Sequence, residues 1–508
     1  MLIKVFGAAV QGIDAITVTI EVNSSRGIRF FLVGLPDSAI RESHERIVSA
    51  LLCIGLKFPS RQIIVNMAPA DIRKEGAAYD LPLAIGILAS AGMIRSDRLP
   101  DFMIMGELSL DGSLLPVRGV LPMAVKAREE GFKGMILPAG NAAEAAVVDG
   151  LEVYGADSLE QVIAFLDGKD CLQRVASEQG EPHVNREEHV LDYSDVKGQQ
   201  AVKRAIEVAA AGSHNILMSG PPGSGKSMIA QRMPSILPPL SMSESLETTK
   251  IHSVAGLSKA GMPLVTERPF RSPHHTISSV ALVGGGSNAQ PGEISLAHNG
   301  VLFLDELPEF HRSVLEMLRQ PLEDRCIRIS RSRYSVEYPA SFMLVASMNP
   351  CPCGYYNHPT RPCSCTPDAI SRYMNRISGP LMDRFDIQCA IEPVSVGDIT
   401  SERKGEPSAE IRKRVILARK MQEARFAGEP GVYCNAQMNS AMLARYARPD
   451  EAAMSLLKTS MQRMDLSARA YSRILKVART IADLDGCEQI GPEHIMEAVS
   501  YRMLDRPH

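Results

Sequence analysis

The chain has 508 residues, of which 45% are hydrophobic and 22% are charged, and its formal net charge is -3. This length exceeds what one hydrophobic core usually supports, so we expect about two to four domains, and the near-neutral charge means that any nucleic-acid surface must be local. No run approaches the about 20 apolar residues that span a bilayer, and the opening residues show no secretory signal, so we expect a cytoplasmic protein without a membrane segment.

The first third of the chain alternates short apolar runs with helical patterns. From Ile16 to Val22 the side chains alternate between apolar and polar, which is typical of a half-buried strand. Further strands are predicted at Phe30 to Val33, Gln62 to Val65, Met103 to Met105 and Met135 to Leu137, and helices at Ser38 to Leu52 and Tyr79 to Ala91. The pattern predicts an α/β domain over residues 1–167, followed by a polar linker over residues 168–189.

The rest of the chain changes character twice. Strand, turn and helix repeat over residues 190–395, with buried strands predicted at Asn215 to Met218, Gly300 to Leu304 and Phe342 to Ser347. This spacing predicts a parallel sheet covered by helices. Residues 396–508 begin with a polar stretch and then look helical, with helices predicted at Glu410 to Arg425, Glu451 to Arg463 and Ser467 to Leu484. We therefore predict a helical lid at the end of the chain.

A glycine-rich turn follows the first strand of the second unit. Gly220 to Ser227 read Gly-Pro-Pro-Gly-Ser-Gly-Lys-Ser, a pattern that lets backbone amides surround a triphosphate while Lys226 reaches the β- and γ-phosphates and Ser227 ligates Mg²⁺. The predicted nucleotide-binding residues of this phosphate-binding loop (P-loop) are Gly220, Pro221, Pro222, Gly223, Ser224, Gly225, Lys226, Ser227 and Met228. A chance glycine-rich turn is the alternative, although the strand before it and the helix after it are what nucleotide binding requires.

A second motif lies about 80 residues further along the chain. Val301 to Glu306 read Val-Leu-Phe-Leu-Asp-Glu, an apolar strand that ends in two acids. This arrangement would put Asp305 beside the Mg²⁺ ion and Glu306 where it polarises the attacking water. Two merely solvated acids at a strand end are the alternative.

These motifs together resemble AAA+ ATPases, specifically the magnesium-chelatase-like branch that also contains the MCM helicases. The resemblance implies that Asp192 to Gln199, which includes Val196, lines the adenine pocket, and that Asn349 helps to orient the lytic water. It implies that Arg384 is an arginine finger for a neighbouring subunit. Arg469 best matches the lid sensor and Arg473 lies one turn further along, so either could touch phosphate, and a solvated or ion-paired arginine is the alternative.

Two clusters of basic residues are candidate DNA contacts. The resemblance implies an insertion near Glu267 to Ser279 that projects toward a central pore, where Arg268, Arg271, His274 and His275 would suit phosphate groups. It also implies a DNA-gripping hairpin at Arg325 to Arg333, whose predicted contacts are Arg328, Arg331 and Arg333. A solvated loop is the alternative for the first cluster, and a solvated turn or an ion-pair network between subunits for the second.

Four of the 10 cysteines are crowded into an insertion over residues 350–366. Cys351, Cys353, Cys363 and Cys365 provide enough thiolates for one tetrahedral Zn²⁺ site of structural type. The pairs are Cys-x-Cys, whereas common zinc sites space each pair by two to four residues, so another metal, four reduced thiols, or His358 in place of one sulfur remain alternatives.

The N-terminal domain resembles the Lon protease domain, which shares its fold with ribosomal S-five domains. The resemblance rests on Gly106 to Pro116 and on Lys74 to Asp80. Lon-type hydrolysis needs a serine activated by a lysine, but the matching positions hold Ala78 and Leu121. We therefore expect no peptidase activity and a role in assembly or DNA handling.

The order of an inactive Lon-like domain, a chelatase-like ATPase and a helical lid resembles the ComM/YifB family. This resemblance implies a hexameric ATP-dependent helicase that drives branch migration when incoming DNA is integrated during natural transformation. It implies single-stranded and double-stranded DNA as partners, with recombination proteins as further candidates. The alternatives are the motor subunit of a magnesium-chelating enzyme, an ATP-dependent protease, and a remodelling ATPase without DNA activity.

Overall fold

The structure is a computed structural model that describes residues 2–72, 74, 76–169, 171–176, 191–258, 263–286, 289–331, 334–393, 405–429 and 431–502. The N-terminal unit is built on a seven-stranded sheet. In spatial order its strands are Phe30–Val33, Gln62–Ala68, Asp14–Ser25, Leu2–Gln11, Phe102–Ile104, Gly134–Pro138 and Glu152–Ala156. The first two strands of the chain form an antiparallel hairpin from the pair of Leu2 and Asn23 to the pair of Gln11 and Asp14. The strands predicted from the sequence in this unit are confirmed.

Helices cover this sheet. They span Ser38–Arg41, Ser43–Cys53, Asp80–Ala91, Val120–Glu129, Ala139–Ala145 and Leu159–Leu166, with short 3-10 turns at Ala77–Tyr79 and Leu99–Asp101 and a small strand pair at Glu107–Leu108 and Leu114–Leu115. The helix Asp80–Ala91 is buried along almost its whole length and packs on the N-terminal hairpin, so its central position explains why nearly all of its residues after Asp80 are apolar. It ends at Gly92, whose φ of 75° suits glycine.

The first residues of the predicted linker lie along this unit. Arg174 forms a bridge with Tyr154, and the N–H of Val175 donates to the carbonyl of Val153 at 2.8 Å. These contacts extend the sheet beyond its last strand. Residues 170 and 177–189 of the predicted linker lie outside the described part of the chain.

The second unit contains a five-stranded sheet whose paired strands are all parallel. In spatial order the strands are Phe270–Arg271, Val301–Leu304, Met343–Met348, Ile216–Ser219 and Ile387–Ala390. Alternate residues face two separate cores. Leu217 belongs to one core, whereas Ile216 and Met218 belong to the other, so the strands are buried on both faces.

Helices and two hairpins complete this unit. The helices span Gln200–Gly212, Lys226–Gln231, Met233–Ile236, Met242–Val254, Ser279–Val283, Glu293–Leu296, Arg312–Glu316, Pro321–Asp324, Pro367–Met374 and Gly379–Met382, with 3-10 turns at Tyr193–Asp195 and Leu307–Glu309. The hairpins pair Gly284–Gly285 with Gln290–Pro291 and Cys326–Arg331 with Tyr334–Pro339. The predicted parallel sheet and the predicted hairpin near Arg325 are both confirmed.

The C-terminal residues are helical, as predicted. The helices span Ser408–Arg425, Ser440–Tyr446, Glu451–Met464, Ala468–Leu484 and Pro492–Ser500, with a 3-10 turn at Asn435–Gln437. They pack on Gln200–Gly212 and share one of the two cores of the five-stranded sheet, which we call the ATPase sheet because its motifs resemble those of AAA+ ATPases. Within the described residues, no helix is both long enough and apolar enough to cross a membrane.

The N-terminal unit contacts one helix of the second unit, Met242–Val254. The carboxylate of Glu144 accepts hydrogen bonds from the N–H of Leu121, at 3.1 Å, and from the hydroxyl of Ser253. Glu144 is 7% exposed, so both bonds are sheltered from water. The N–H of Gly119 also donates to the carbonyl of Ser253 at 3.2 Å. This helix therefore bonds the two units to each other, and Ile13, at the turn of the N-terminal hairpin, packs against the core that contains Val336 as a further contact.

Candidate active site

The candidate active site lies where three neighbouring parallel strands end. The P-loop strand Ile216–Ser219 pairs with Met343–Met348, which in turn pairs with Val301–Leu304. Since parallel strands end at the same edge of a sheet, the P-loop, Asp305 and Asn349 converge there. We call this the carboxyl edge of the ATPase sheet.

The P-loop has the backbone that its glycines predict. Gly223 and Gly225 have φ of 75° and 87°, and a Cβ at Gly220 would lie 2.6 Å from the carbonyl oxygen of Ile391. The ammonium group of Lys226 donates to the carbonyls of Gly220 and Pro221 at 2.7 and 2.9 Å. Larger side chains would disrupt this curl, which is why small residues occupy it.

Lys226 is also bonded across the site. Its Nζ lies 3.2 Å from Oδ1 of Asn349, on the neighbouring strand's end. Burial lowers the pKa of Lys226, and the nearby carboxylates of Asp305 and Glu306 oppose that shift. The structure thus brings together the predicted phosphate-binding lysine and the predicted sensor asparagine.

The two predicted Mg²⁺ ligands meet directly. The hydroxyl of Ser227 donates to Oδ2 of Asp305 at 2.7 Å, and the other carboxylate oxygen of Asp305 accepts from the hydroxyl of Ser347. A hydroxyl and a carboxylate at this distance match the oxygen ligands that Mg²⁺ takes beside phosphate groups. The residues therefore fit an Mg²⁺ ion bound together with a nucleotide.

Glu306 has a left-handed backbone. Its φ of 52° is unusual for a residue with a side chain, and such a conformation costs about 1 kcal/mol. The N–H of Glu306 is held by Oδ1 of Asp305 at 3.1 Å and by the hydroxyl of Ser347 at 3.3 Å. Glu306 is exposed, so its carboxylate is accessible to water next to the P-loop.

The segment ahead of the P-loop is bonded to it. Nε2 of Gln199 donates to the carbonyl of Ser224 at 2.8 Å, and the hydroxyl of Tyr193 donates to the carbonyl of Ile229 at 2.9 Å. Val196 is 3% exposed and its carbonyl accepts from Nζ of Lys203. The predicted contact of Val196 with adenine stays a prediction.

The four clustered cysteines form one compact group. Their Sγ atoms lie within 4.8 Å of one another, and three of the separations are 3.3, 3.5 and 3.7 Å. A tetrahedral Zn²⁺ ion with Zn–S bonds of about 2.3 Å holds its sulfurs about 3.8 Å apart, so the group fits zinc. The alternative ligand His358 is not part of this group, and its Nδ1 accepts from the backbone N–H of Arg361 at 3.0 Å.

This cysteine insertion touches the P-loop. A Cβ on Gly354 would lie 2.5 Å from Cδ of Pro222, and Gly354 has a φ of 82°. The insertion also begins directly after Asn349 on the chain. It is therefore in a position to support the P-loop from outside.

Arg384 lies at the opposite edge of the sheet, which we call the amino edge. The N–H of Asp386, two residues further on, donates to the carbonyl of Asn215, just before the P-loop strand. The guanidinium group of Arg384 is 7% exposed and forms an ion pair with Glu323 at 2.5 Å. Four strand residues, about 13 Å, separate this edge from the P-loop of the same chain.

Arg469 and Arg473 are at the amino edge too. Arg473 forms an ion pair with the buried Asp386, whereas Arg469 is 65% exposed and lies 3.5 Å from Asp383. The structure therefore does not bring either predicted lid sensor to the P-loop of its own chain. Which of the two touches phosphate stays open.

The sequence matches three family descriptions that together extend over most of the chain. Residues 20–141 match "Subunit ChlI of Mg-chelatase", residues 192–399 match "Magnesium chelatase, subunit ChlI", and residues 405–502 match "Magnesium chelatase, subunit ChlI C-terminal". Two relatives are similar over nearly their whole length. The chain is 44% identical to Competence protein ComM of Haemophilus influenzae over 99% of this chain and 97% of the relative, and 43% identical to the uncharacterized protein YifB of Salmonella typhimurium over 98% and 96%.

The chain belongs to the ComM/YifB family. Lon protease 2 of Bacillus subtilis is also similar, at 28% identity over 127 residues, or 25% of this chain and 22% of that protease. The family prediction is therefore confirmed. Membership in this magnesium-chelatase-like AAA+ group implies ATP and Mg²⁺ as ligands and suggests ATPase activity.

In the first cluster of predicted DNA contacts, both arginines are paired with acidic residues of the same chain. Arg268 is ion-paired with Glu244 at 3.1 Å, and Arg271 with Glu293 at 2.6 Å. Phe270–Arg271 is the edge strand of the ATPase sheet rather than part of an insertion. Both guanidinium groups are thus engaged within the fold, which does not favour the prediction that they contact DNA.

The histidines and the hairpin remain candidates. His274 is exposed, and its ring lies 4.0 Å from that of His275. Arg328 is 63% exposed and pairs across the hairpin with Glu337 at 2.7 Å. Arg331 ends the first strand of the hairpin, and Arg333 lies outside the described residues.

Ser347 is a site residue that the sequence did not reveal. Its hydroxyl is bonded to both Asp305 and the N–H of Glu306, so it fixes the turn that carries both acids. The sequence feature that could have identified it is a serine inside the buried strand Met343–Met348, two residues before Asn349. A buried polar side chain needs a hydrogen-bond partner, and Ser347 has its partners at the carboxyl edge of the sheet.

Proposed function

We propose that the chain is the subunit of a hexameric ring that hydrolyses ATP to move along DNA and drives branch migration during natural transformation. The observation that carries the ring is the separation of Lys226 and Arg384 to opposite edges of one sheet. A head-to-tail ring brings the carboxyl edge of one chain against the amino edge of the next. Such an arrangement combines the P-loop and its lysine with an arginine, a further positive charge that phosphoryl transfer uses.

The residues of the carboxyl edge divide the work of hydrolysis. Bound ATP and Mg²⁺ supply the phosphoryl group and the charge that polarises it. Lys226 binds the β- and γ-phosphates, and Ser227 with Asp305 holds the metal. Glu306 orients the attacking water and accepts its proton, while Asn349 keeps that water in line.

Arg384 completes the site of a neighbouring chain in this proposal. To reach that site its guanidinium group must leave Glu323, an exposed partner whose carboxylate remains solvated after the exchange. A phosphate with more than one negative charge is a stronger partner for a guanidinium than a single carboxylate. Arg469 and Arg473 lie on the same edge and face the same neighbour.

Similarity to Competence protein ComM supports DNA as the polymer. Competence is the capacity to take up DNA, so a motor in that process has DNA to act on. The hairpin carries Arg328, Arg331 and Arg333, and about six copies around a ring would multiply its positive charge despite the chain's net charge of -3. His274 and His275 are the second candidate contact.

Two further parts have supporting roles in the proposal. Cys351, Cys353, Cys363 and Cys365 bind one structural Zn²⁺, which holds the insertion against Pro222. The N-terminal unit has Ala78 and Leu121 where a Lon protease needs serine and lysine, so it serves in assembly or DNA handling. Elemental analysis finding well below one zinc per chain would remove the metal from this proposal.

Branch migration of a synthetic four-way junction tests the function. The purified chain with ATP and Mg²⁺ is expected to form hexamers, to hold single-stranded and double-stranded DNA at low salt, and to convert the junction to duplex products. Lys226→Ala should bind DNA without moving the junction, and Lys458→Gln, which removes an exposed charge from a lid helix, should behave as wild type. ATP hydrolysis that is equal with and without DNA, together with no retention of DNA, would overturn the proposal and favour a chelatase-like or remodelling role.

A further inference from the structure

A second cavity lies at the amino edge of the ATPase sheet. Its volume is about 370 Å³, and its walls include Asn215 before the P-loop strand, Arg325 at the base of the hairpin, and Cys434 and Lys476 from the helical domain. Small-molecule sites in proteins occupy about 300 to 1,000 Å³. Because the P-loop is at the other edge, this cavity is separate from the ATP site.

Each acidic side chain that lines the cavity already has a cationic partner. The pairs are Glu244 with Arg268, Glu323 with Arg384, and Asp386 with Arg473. These three ion pairs leave no unpaired carboxylate in the described wall. The net charge of the cavity wall therefore comes from the basic side chains outside these three pairs.

Three basic side chains in the wall have no acidic partner. Arg325, Arg419 and Lys476 all line the cavity, and none of them forms an ion pair with a residue in the described ranges. Arg325 also makes no side-chain hydrogen bond there. Three neighbouring cations are costly, since each disfavours the others, and the carboxylate that acts on Lys476, Asp386, is already paired with Arg473.

The contacts of two of these cations show unused donors. Arg419 is 9% exposed, and one of its terminal nitrogens, Nη2, donates to the carbonyl of Ala210 at 3.1 Å and to the hydroxyl of Ser213 at 3.4 Å. Its other terminal nitrogen, Nη1, makes no hydrogen bond to a described residue, and its Nε is buried without a partner. Nζ of Lys476 donates to the carbonyl of Ala436 at 2.9 Å and has two further protons. Burial lowers the pKa of Lys476, and the charge of Arg325 lowers it further even though Asp386 opposes the shift.

We propose that this cavity binds a phosphate-bearing small molecule of nucleotide size through Arg325, Arg419 and Lys476. A phosphate group with two negative charges offers several acceptor oxygens and would satisfy the unused donors and the unbalanced charge at once. A bound molecule would join the base of the hairpin to the helix Ala468–Leu484. The proposal does not depend on DNA translocation.

Titration of inorganic pyrophosphate into the Lys226→Ala chain tests the proposal, because that background weakens phosphate binding at the P-loop. Calorimetry is run at a dilution where sedimentation shows single chains, so that no neighbour fills the cavity. We expect one site per chain, with Arg325→Asn and Lys476→Met each weakening it by about tenfold. Asparagine suits the φ of 54° at Arg325.

Two variants control for charge and for folding. Lys458→Gln removes one exposed positive charge from the lid helix Glu451–Met464 and should leave pyrophosphate affinity unchanged. Lys476→Arg keeps the charge and should retain affinity within about threefold. All variants should give the wild-type melting curve, and AMP in place of pyrophosphate shows whether a nucleoside adds affinity.

The possible outcomes are distinct. Binding of pyrophosphate or AMP that is lost in the charge-removing variants supports the proposal. No binding to single chains, or binding that survives both Arg325→Asn and Lys476→Met, overturns it. Substitutions that change only ring assembly also overturn it, because the cavity then receives an acidic side chain of a neighbour.

Discussion

The two edges of the ATPase sheet differ in what their charged groups are bonded to. At the carboxyl edge, Lys226 donates to backbone carbonyls of its own loop, and Ser227 donates to Asp305. At the amino edge, Arg384 and Arg473 are each neutralised by a carboxylate. The carboxyl edge thus has the predicted lysine and metal ligands of a hydrolysis site, and the amino edge has the guanidinium groups that the proposal assigns to the site of a neighbouring chain.

The direction of the strands places the two groups of charged residues at opposite edges of the sheet. It therefore also determines whether one chain or two neighbouring chains form a complete site. The strand Ile216–Ser219 keeps the two edges apart within a chain, and no side-chain motion spans about 13 Å. Under the proposed ring, the groups combine only where one chain meets the next.

Mixing two inactive variants gives the largest effect. Arg384→Ala should lower ATP hydrolysis about 10⁴-fold, as loss of an arginine finger does, and Lys226→Ala should abolish it. In rings formed from equal amounts of both, about one interface in four has an intact Lys226 facing an intact Arg384. Steady-state phosphate release should therefore return to about a quarter of the wild-type rate.

Controls for this experiment keep the ring and the fold intact. Glu323→Gln releases Arg384 without removing it and should keep hydrolysis. Arg384→Lys keeps a charge at this buried position and checks that the loss in Arg384→Ala is not a folding defect. If mixing restores nothing although mixed rings form, the two edges do not meet between chains.

Glu306→Gln separates binding from turnover at the carboxyl edge. The amide cannot accept a proton from water, so hydrolysis should fall about 10³-fold while ATP affinity is kept. Fluorescent-nucleotide binding and phosphate release measure the two quantities. The control is Glu309→Gln, three residues away, which removes an exposed pair with Arg376. Hydrolysis that persists in Glu306→Gln would take that residue out of its role.

At the amino edge, Asp386 should matter for stability far more than Asp383. Asp386 is 4% exposed, and removing its charge leaves Arg473 without its acid, so Asp386→Asn should lower the free energy of unfolding by about 3 kcal/mol. The pair of Asp383 with Arg469 is exposed and longer, so Asp383→Asn should cost less than about 0.5 kcal/mol. Urea unfolding of both variants at pH 7 measures the difference.

The pH dependence of the Asp386 effect follows from its pKa. Burial acts to raise the pKa of Asp386, but Arg473 and His214 outweigh it and hold the pKa well below the usual range. A carboxyl with a depressed pKa contributes stability above its unfolded value of about 4, and loses that contribution as the pH falls below it. The gap between wild type and Asp386→Asn should therefore narrow below about pH 4. A gap that widens on acidification would contradict this assignment.

Local signals in the sequence were enough for much of the fold and of the site. The strand Phe30–Val33 has the predicted bounds, and the P-loop strand and the acidic strand lie on either side of Met343–Met348, with their motifs at the same edge of the sheet. The helix Met242–Val254 was missed because it has few apolar residues, although Ser241 and Glu244 form a capping box that marks its start.

Contacts between residues that are far apart in the sequence could not be predicted from it. A two-residue strand such as Phe270–Arg271 has no periodicity, and its place is set by backbone bonds to Val301–Leu304. Arg268 was a plausible phosphate contact by charge, but Glu244 lies 24 residues earlier and the fold brings it within 3.1 Å. Which basic side chains are buried and which are exposed is decided by tertiary contacts, so a charge pattern alone could not separate the largely buried Arg268 from the exposed Arg328.

The smallest expected effect tests whether the cysteine insertion supports the carboxyl edge. Gly354→Ala would place a methyl group 2.5 Å from Cδ of Pro222 at a φ of 82°, so the insertion must shift away from the P-loop. We expect ATP affinity to fall about tenfold while zinc content is unchanged. Gly428→Ala, where a Cβ meets nothing within 4 Å, is the matched control. Unchanged ATP affinity in Gly354→Ala would mean that the P-loop holds its shape without the insertion, because the contact with Pro222 is the one that this substitution disturbs.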